Sequence, residues 1–295
     1  MFALTSSPPA GFSTFTTSLV AFQESPATLL VIMALIVLGG LGFLTLDELY
    51  LRRKAREAGR RFRISLHSRI VLATTAALLV GGWILFTMLE WGLTLRELPV
   101  WARVVNGLFL SVTPRTAGFN TIDYNEASAG TNFLTILLMS IGGSPGSTAG
   151  GIKTTTFALI GLLAWSRLRG HEISSIWGRS VPEETVQRAV GLFTVAFGAV
   201  TAGVLAYVGL ELGGVVHHTA DWAFLHYMFE ATSAFNTVGL SMGVTGELSD
   251  AGRWLTVVLM YLGRVGPLTF AAAIALPRPT SEGEFRYAYE DVVVG

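Results

Sequence analysis

The sequence predicts an all-α integral membrane protein, and three observations carry that prediction. Of 295 residues, 51% are apolar and only 14% charged, whereas a soluble globular domain carries about 25% charged residues. The apolar residues gather in blocks close to the roughly 20 residues that a spanning helix needs. The basic residues collect in alternate connectors between those blocks. A net charge of zero argues against a nucleic-acid partner, and the absence of cysteine excludes disulfides and thiolate metal sites while leaving the compartment open.

The blocks follow in order. Residues 1–26 lack the basic start and compact apolar core of a signal peptide. Spans are predicted over 27–46 (ATLLVIMALIVLGGLGFLTL), 70–89 (IVLATTAALLVGGWILFTML), 132–166, 189–210 (AVGLFTVAFGAVTAGVLAYVGL) and 254–277 (WLTVVLMYLGRVGPLTFAAAIALP), about five in all. The connector after the first span carries Arg52, Arg53, Lys54, Arg56, Arg60, Arg61, Arg63 and Arg69; the one near 167–188 carries Arg167, Arg169, Arg179 and Arg188; the tail adds Arg278 and Arg286. The opposite side holds only Arg96, Arg103, Arg115 and Arg253. That asymmetry places connectors 49–69 and 167–188 and the C-terminus in the cytoplasm; a nucleic-acid or lipid patch is the competing explanation for the first cluster. Ser180, with Glu183 three residues on and Pro182 in the first turn, predicts a capped helix start.

The outer connectors contain a repeat. WARVVNGLFLSVT (101–113) precedes PRTAGFNTID, and WAFLHYMFEATSAF (222–235) precedes NTVGLSMGVT. Runs this short suit a re-entrant helix rather than a span. Each leads to a Thr-x-Gly triplet, Thr116-Ala117-Gly118 and Thr237-Val238-Gly239, and then to another span. The unit is helix, pore loop, helix, twice over, with a period of about 120 residues, a plan common among membrane transport proteins. MFALTSSPPAGFS, ending near Gly11, resembles a partial third copy. Backbone without a helix is tolerated at membrane depth only inside protein or along a watery path. There its carbonyl oxygens replace the water shell of a small cation, as TVGYG does in potassium channels; the Tyr-Gly is missing here. Ordinary extracellular turns are the alternative.

These motifs carry a family resemblance. SVTPRTAGFNTID, SIGGSPGSTAGGIKTTTF, FEATSAFNTVGLS and GRVGPLT resemble the Trk/Ktr/HKT superfamily of potassium transporters, most of all the membrane subunit of the bacterial Ktr system. The resemblance implies four helix–pore–helix repeats around one pore, with this chain supplying its carboxy-terminal portion. Residues 1–48 would end the second repeat, 49–69 connect, 70–166 form the third, 167–188 connect, 189–277 form the fourth and 278–295 make a cytoplasmic tail. It implies an ion filter at Gly11, at Thr116, Ala117, Gly118, Phe119 and Asn120, and at Asn236, Thr237, Val238, Gly239 and Leu240. It implies an intramembrane gate loop of Gly142, Gly143, Ser144, Pro145, Gly146, Ser147, Thr148, Ala149, Gly150 and Gly151, with Lys153 just beyond, and an electrostatic barrier at Arg264. Potassium is the implied cargo, with no covalently bound cofactor. The implied partners are a second copy in a homodimer and cytoplasmic nucleotide-binding regulatory subunits, in a bacterial cell membrane.

The residues themselves bear on these assignments. Five glycines in 142–151 each weaken a helix by about 1 kcal/mol; close helix packing by small residues is the other explanation. GSTAGGIKT approaches a phosphate loop, but Ile152 separates Gly151 from Lys153 and no strand precedes it, so the spacing fails. Arg264 falls inside a predicted span, where a charge costs about 2.5–3.5 kcal/mol and marks a pathway, or else pairs with Glu230 or a helix carbonyl. Lys153 can snorkel to the cytoplasmic face or hold the gate. His217 and His218 read as solvated. With no nucleophile–base pair or metal set, the expected function is potassium uptake rather than catalysis. The alternatives are a non-conducting remnant, a dimerising fragment, and a transporter built from two copies.

Overall fold

In the computed structural model, residues 17–170, 175–213 and 223–265 are described. Gly11 and the partial third unit, His217 and His218, the end of the predicted 254–277 span and the tail 278–295 lie outside them. A 3-10 turn at Val20–Phe22 precedes α1 (Pro26–Gly40), α2 (Phe43–Glu57), α3 (Leu66–Glu90), α4 (Val100–Val112), α5 (Ala129–Ser140) and α6 (Thr154–Leu168). A two-stranded antiparallel hairpin, β1 (Ser175–Ile176) and β2 (Arg179–Ser180), leads to α7 (Glu183–Glu211), α8 (Ala223–Phe235) and α9 (Asp250–Val265).

Helices α3 and α7 are each long and apolar enough to cross a bilayer. At 1.5 Å per residue, both exceed the roughly 30 Å hydrocarbon core. Their outer faces carry exposed Val80, Ile84 and Met88 on α3 and Phe197 and Leu205 on α7, side chains suited to lipid.

The block 27–46, predicted as one span, departs from that expectation. Helix α1 stops at Gly40, and α2 starts at Phe43 with its axis turned by 103°. Gly42 sits at φ +78°, a conformation glycine adopts without steric cost. The predicted span 132–166 is likewise interrupted between Ser140 and Thr154, as its glycine content led one to expect. The start of α7 also differs. Ser180 pairs with Ser175 in the hairpin, so it does not cap the helix; Pro182 is the N-cap residue, and Glu183 and Glu184 occupy the first turn, where carboxylates favour the positive helix end.

The two halves repeat in detail. A shift of 121 residues carries Gly82 onto Gly203, Glu90 onto Glu211, Ser128 onto Ser249 and Leu138 onto Leu259. A Cβ on Gly82 would meet Leu138 at 3.0 Å, and one on Gly203 would meet Leu259 at 2.9 Å, so the same glycine admits the same leucine in each half. The carboxylate ending each long helix accepts from the backbone N–H of the serine ahead of a later helix: Ser128 donates to Glu90 at 3.0 Å, and Ser249 to Glu211 at 3.2 Å. A core of Phe86, Leu110, Ile136, Leu138, Phe229 and Val238 joins α3, α4 and α5 to α8 across the halves; Tyr207, Ala234, Phe235 and Leu259 form the matching core of α7, α8 and α9.

Glu90 is fully buried, and Thr131 and Thr94 also donate to it. Replacing it strands several buried donors, at about 1–3 kcal/mol each. We expect Glu90→Ala to lower the melting temperature in detergent, and to do so more than Glu211→Ala, whose carboxylate is partly solvated. Thermal unfolding of the two variants followed by circular dichroism checks the order.

Candidate functional site

The site is built from two turns and one loop. Helix α4 ends at Val112, with Thr113 as its C-cap residue, and the chain turns through Thr116 (φ 64°) and Gly118 (φ 75°). Helix α8 ends at Phe235 and the chain turns through Thr237 (φ 52°) and Gly239 (φ 89°). In both turns the residue between, Ala117 or Val238, keeps a negative φ. Alternating backbone handedness turns successive peptide groups to one side. A threonine held at positive φ is strained by of order 1 kcal/mol or more, and that strain occurs at the same position of both turns.

Hydrogen bonds hold each turn to the end of its helix. Ala117 N–H donates to Thr113 O at 3.1 Å, and the Thr113 hydroxyl donates to Phe119 O. Val238 N–H donates to Ser233 O at 2.9 Å, and Gly239 N–H donates to Ser233 Oγ at 3.2 Å. A Cβ built on Gly239 would lie 3.6 Å from Gly118 Cα. The two predicted triplets, separated by more than a hundred residues, therefore sit side by side. Asn120 is held from outside its own turn: its N–H donates to Ser18 Oγ at 3.2 Å, and its carbonyl accepts from Leu19 N–H at 3.0 Å.

The Gly-rich loop lies against the second turn. A Cβ on Gly150 would run into Thr237 Oγ1, and one on Gly151 into the Asn236 side chain; glycine lets the loop approach this closely. Asn236 Oδ1 and Thr237 Oγ1 are themselves buried without a hydrogen-bond partner. On its other side the loop fills the break between α1 and α2. Ser144 N–H donates to Gly40 O at 2.9 Å, and Phe43 N–H donates to Gly146 O at 3.2 Å. Within the loop, Gly142 N–H donates to Ile152 O at 2.8 Å and Thr154 N–H to Gly143 O at 3.1 Å.

The cations close the arrangement. Arg264 Nη1 donates to Thr148 O at 2.6 Å, which answers the question of its partner: among the described residues it bonds a loop carbonyl, while Glu230 accepts from Ser241 at 2.9 Å and Thr245 at 2.7 Å. Lys153 Nζ donates to Ala149 O, also within the loop. Arg115, in the connector after α4, is buried.

Sequence reasoning missed the cradle at Gly40–Gly42 and the docking of Ser18. Adjacent glycines at 39–40 and Gly42 inside an apolar run were the available signal for the first; nothing local marks the second.

The sequence profile for TrkH, described as cation transport protein, matches residues 3–284. The potassium/sodium uptake protein NtpJ of Enterococcus hirae is 37% identical over 287 residues, covering 97% of this chain and 61% of that protein. The Ktr system potassium uptake protein B of Bacillus subtilis is 35% identical over 289 residues, again covering 97% of this chain and 61% of that one. Among solved structures, the potassium transporter TrkH from Vibrio parahaemolyticus shares the fold with a TM-score of 0.73 at 19% identity, over 92% of this chain and 57% of that one. The chain thus spans about three fifths of the length of the curated relatives it matches. These relatives are ion uptake proteins, not enzymes.

Gly151→Ala should push the loop off Asn236. The chain has no cysteine, so a single Ala149→Cys reporter, buried in the parent, reads loop position without background. Maleimide labelling is expected to accelerate at least tenfold when Gly151→Ala is added; an unchanged rate would show that the contact does not hold the loop.

Proposed function

This chain belongs to the TrkH family of cation transport proteins, and we propose that it forms the third and fourth helix–pore–helix units of a potassium uptake pathway in a bacterial cell membrane. In that arrangement α4 and α8 are re-entrant half-helices, and the 116–120 and 236–240 turns line the ion filter. Potassium sheds water at their carbonyl oxygens, with the unpartnered Asn236 Oδ1 and Thr237 Oγ1 as further oxygen donors. Inward movement follows the membrane potential, worth about 2.3 kcal/mol per charge per 100 mV. The observation that carries the proposal is the close approach of Gly118 and Gly239.

The 142–151 loop is the gate. It stands next to the second turn, and Arg264 holds it through the Thr148 carbonyl. The Arg264 charge also opposes cation passage at the same level. Cytoplasmic nucleotide-binding subunits, meeting the connectors and tail, bias the loop from inside. A closed ring of carbonyls takes more loops than these two; further polypeptide or a second copy of the chain supplies the rest, with homodimer formation as the wider assembly.

Rubidium uptake by a bacterium stripped of its own potassium systems tests the pathway. The chain is expressed alone and together with any coding sequence that precedes it. Uptake in either arrangement supports the pathway; none in both argues against it. In the conducting form, Gly239→Ser should cut flux more than tenfold. Arg264→Gln and deletion of 142–151 should raise it several-fold; lower flux in both would argue against a gate.

A further inference from the structure

We infer that the cytoplasmic end of α3 carries a binding site for an anionic phospholipid, with separate places for headgroup and acyl chain. Two cavities meet there. One, of about 690 Å³, is lined by Arg52, Arg63, Arg69 and Phe62. The other, of about 540 Å³, is a groove between α3 and α6 walled by Ile70, Ala77, Phe157, Leu162 and Trp165. Ala73 and Trp177 line both, so a ligand can pass from one into the other.

The chemistry at the two ends differs. Among the described residues, Arg52, Arg63 and Arg69 make no ion pair; the recorded pairs are Arg53–Glu57, Arg188–Glu184 and Arg253–Asp250. Three unpaired guanidiniums converging on one cavity suit a phosphodiester, which accepts forked hydrogen bonds from arginine. The groove offers apolar wall and no charge, which suits a hydrocarbon chain. The 103° turn after α1 directs α2, with Arg52, across the direction of α1, as a helix at the membrane boundary would run. Trp177 is held at φ 52°, a costly conformation for a bulky residue, and the hairpin places its indole where the cavities join. Tryptophan favours that headgroup level, and basic pockets between spanning helices on the cytoplasmic side bind anionic headgroups. A free phosphate or soluble phosphate ester would fill only the basic end; the continuous groove selects a lipid.

The site rests on the membrane-spanning reading of α3 and is independent of ion conduction. Its test is native mass spectrometry of the purified full chain in detergent, titrated with phosphatidylglycerol or phosphatidylcholine of the same acyl chains. Each arginine near an anionic group contributes up to about fivefold, so phosphatidylglycerol should bind roughly a hundredfold tighter. The triple variant R52Q/R63Q/R69Q should bring the two lipids within about threefold, while R56Q/R60Q/R61Q, equal in charge and outside the cavity, should keep the preference. Gly161 borders the groove and has open space around it, so Gly161→Leu fills the groove without a clash. It should weaken both lipids about tenfold. Equal loss in both arginine triples, or displacement of the lipid by millimolar glycerol phosphate, would overturn the site. Failure of rubidium uptake would leave this result standing, and loss of lipid preference would leave the uptake proposal standing.

Discussion

A backbone amide or carbonyl at membrane depth must find a partner, because no water is available there and an unpaired group costs several kcal/mol. The centre of this molecule is organised by that constraint. Two helices are broken, one at Leu41–Gly42 and one across 141–153, and each break supplies partners for the other. Ser144 donates to Gly40 and Phe43 donates to the Gly146 carbonyl, while Gly151 reaches the Gly263 carbonyl at 3.4 Å. The glycines serve closeness here. Side chains at Gly42, Gly150 or Gly151 would strike backbone or the second turn, and one at Gly143 would strike the Ala149 and Ser147 side chains. The loop is thus held by main-chain geometry on one side and by a single arginine on the other.

Charge is distributed according to the same scarcity of water. Glu90 and Glu230 are buried, and each is surrounded by hydroxyl or backbone donors. A carboxylate satisfied in this way orients the elements around it: Glu90 fixes the start of α5 against the end of α3, and Glu230 ties α8 to the chain beyond its turn. Arg264 and Lys153 both spend their donors on loop carbonyls. Loop position and local positive charge are therefore coupled.

Much of this was legible in the letters. Block length announced the long apolar helices α3 and α7, and a Thr-x-Gly triplet after each short apolar run announced the turns. The interruption of 132–166 was readable because glycine and proline are dense there. Helix α1 was read too long, since GGLG inside an apolar run is also compatible with a continuous helix; only the loop docking into it makes the break favourable. Ser180 matched a capping pattern, yet strand pairing with Ser175 claimed its backbone first. Arg264 was visible as a charge in an apolar segment, but its choice of Thr148 over Glu230 was not.

The sequence by itself determined the membrane class and the residues that turn the chain, because composition, periodicity and backbone preference act over a few neighbouring positions. Only the tertiary structure decided that Gly118 meets Gly239, that the loop fits between the α1–α2 break and Asn236, and that three arginines from α2, the following connector and α3 face one cavity. Those are contacts between distant segments. They depend on how rigid helices pack, and no local stretch of sequence encodes that.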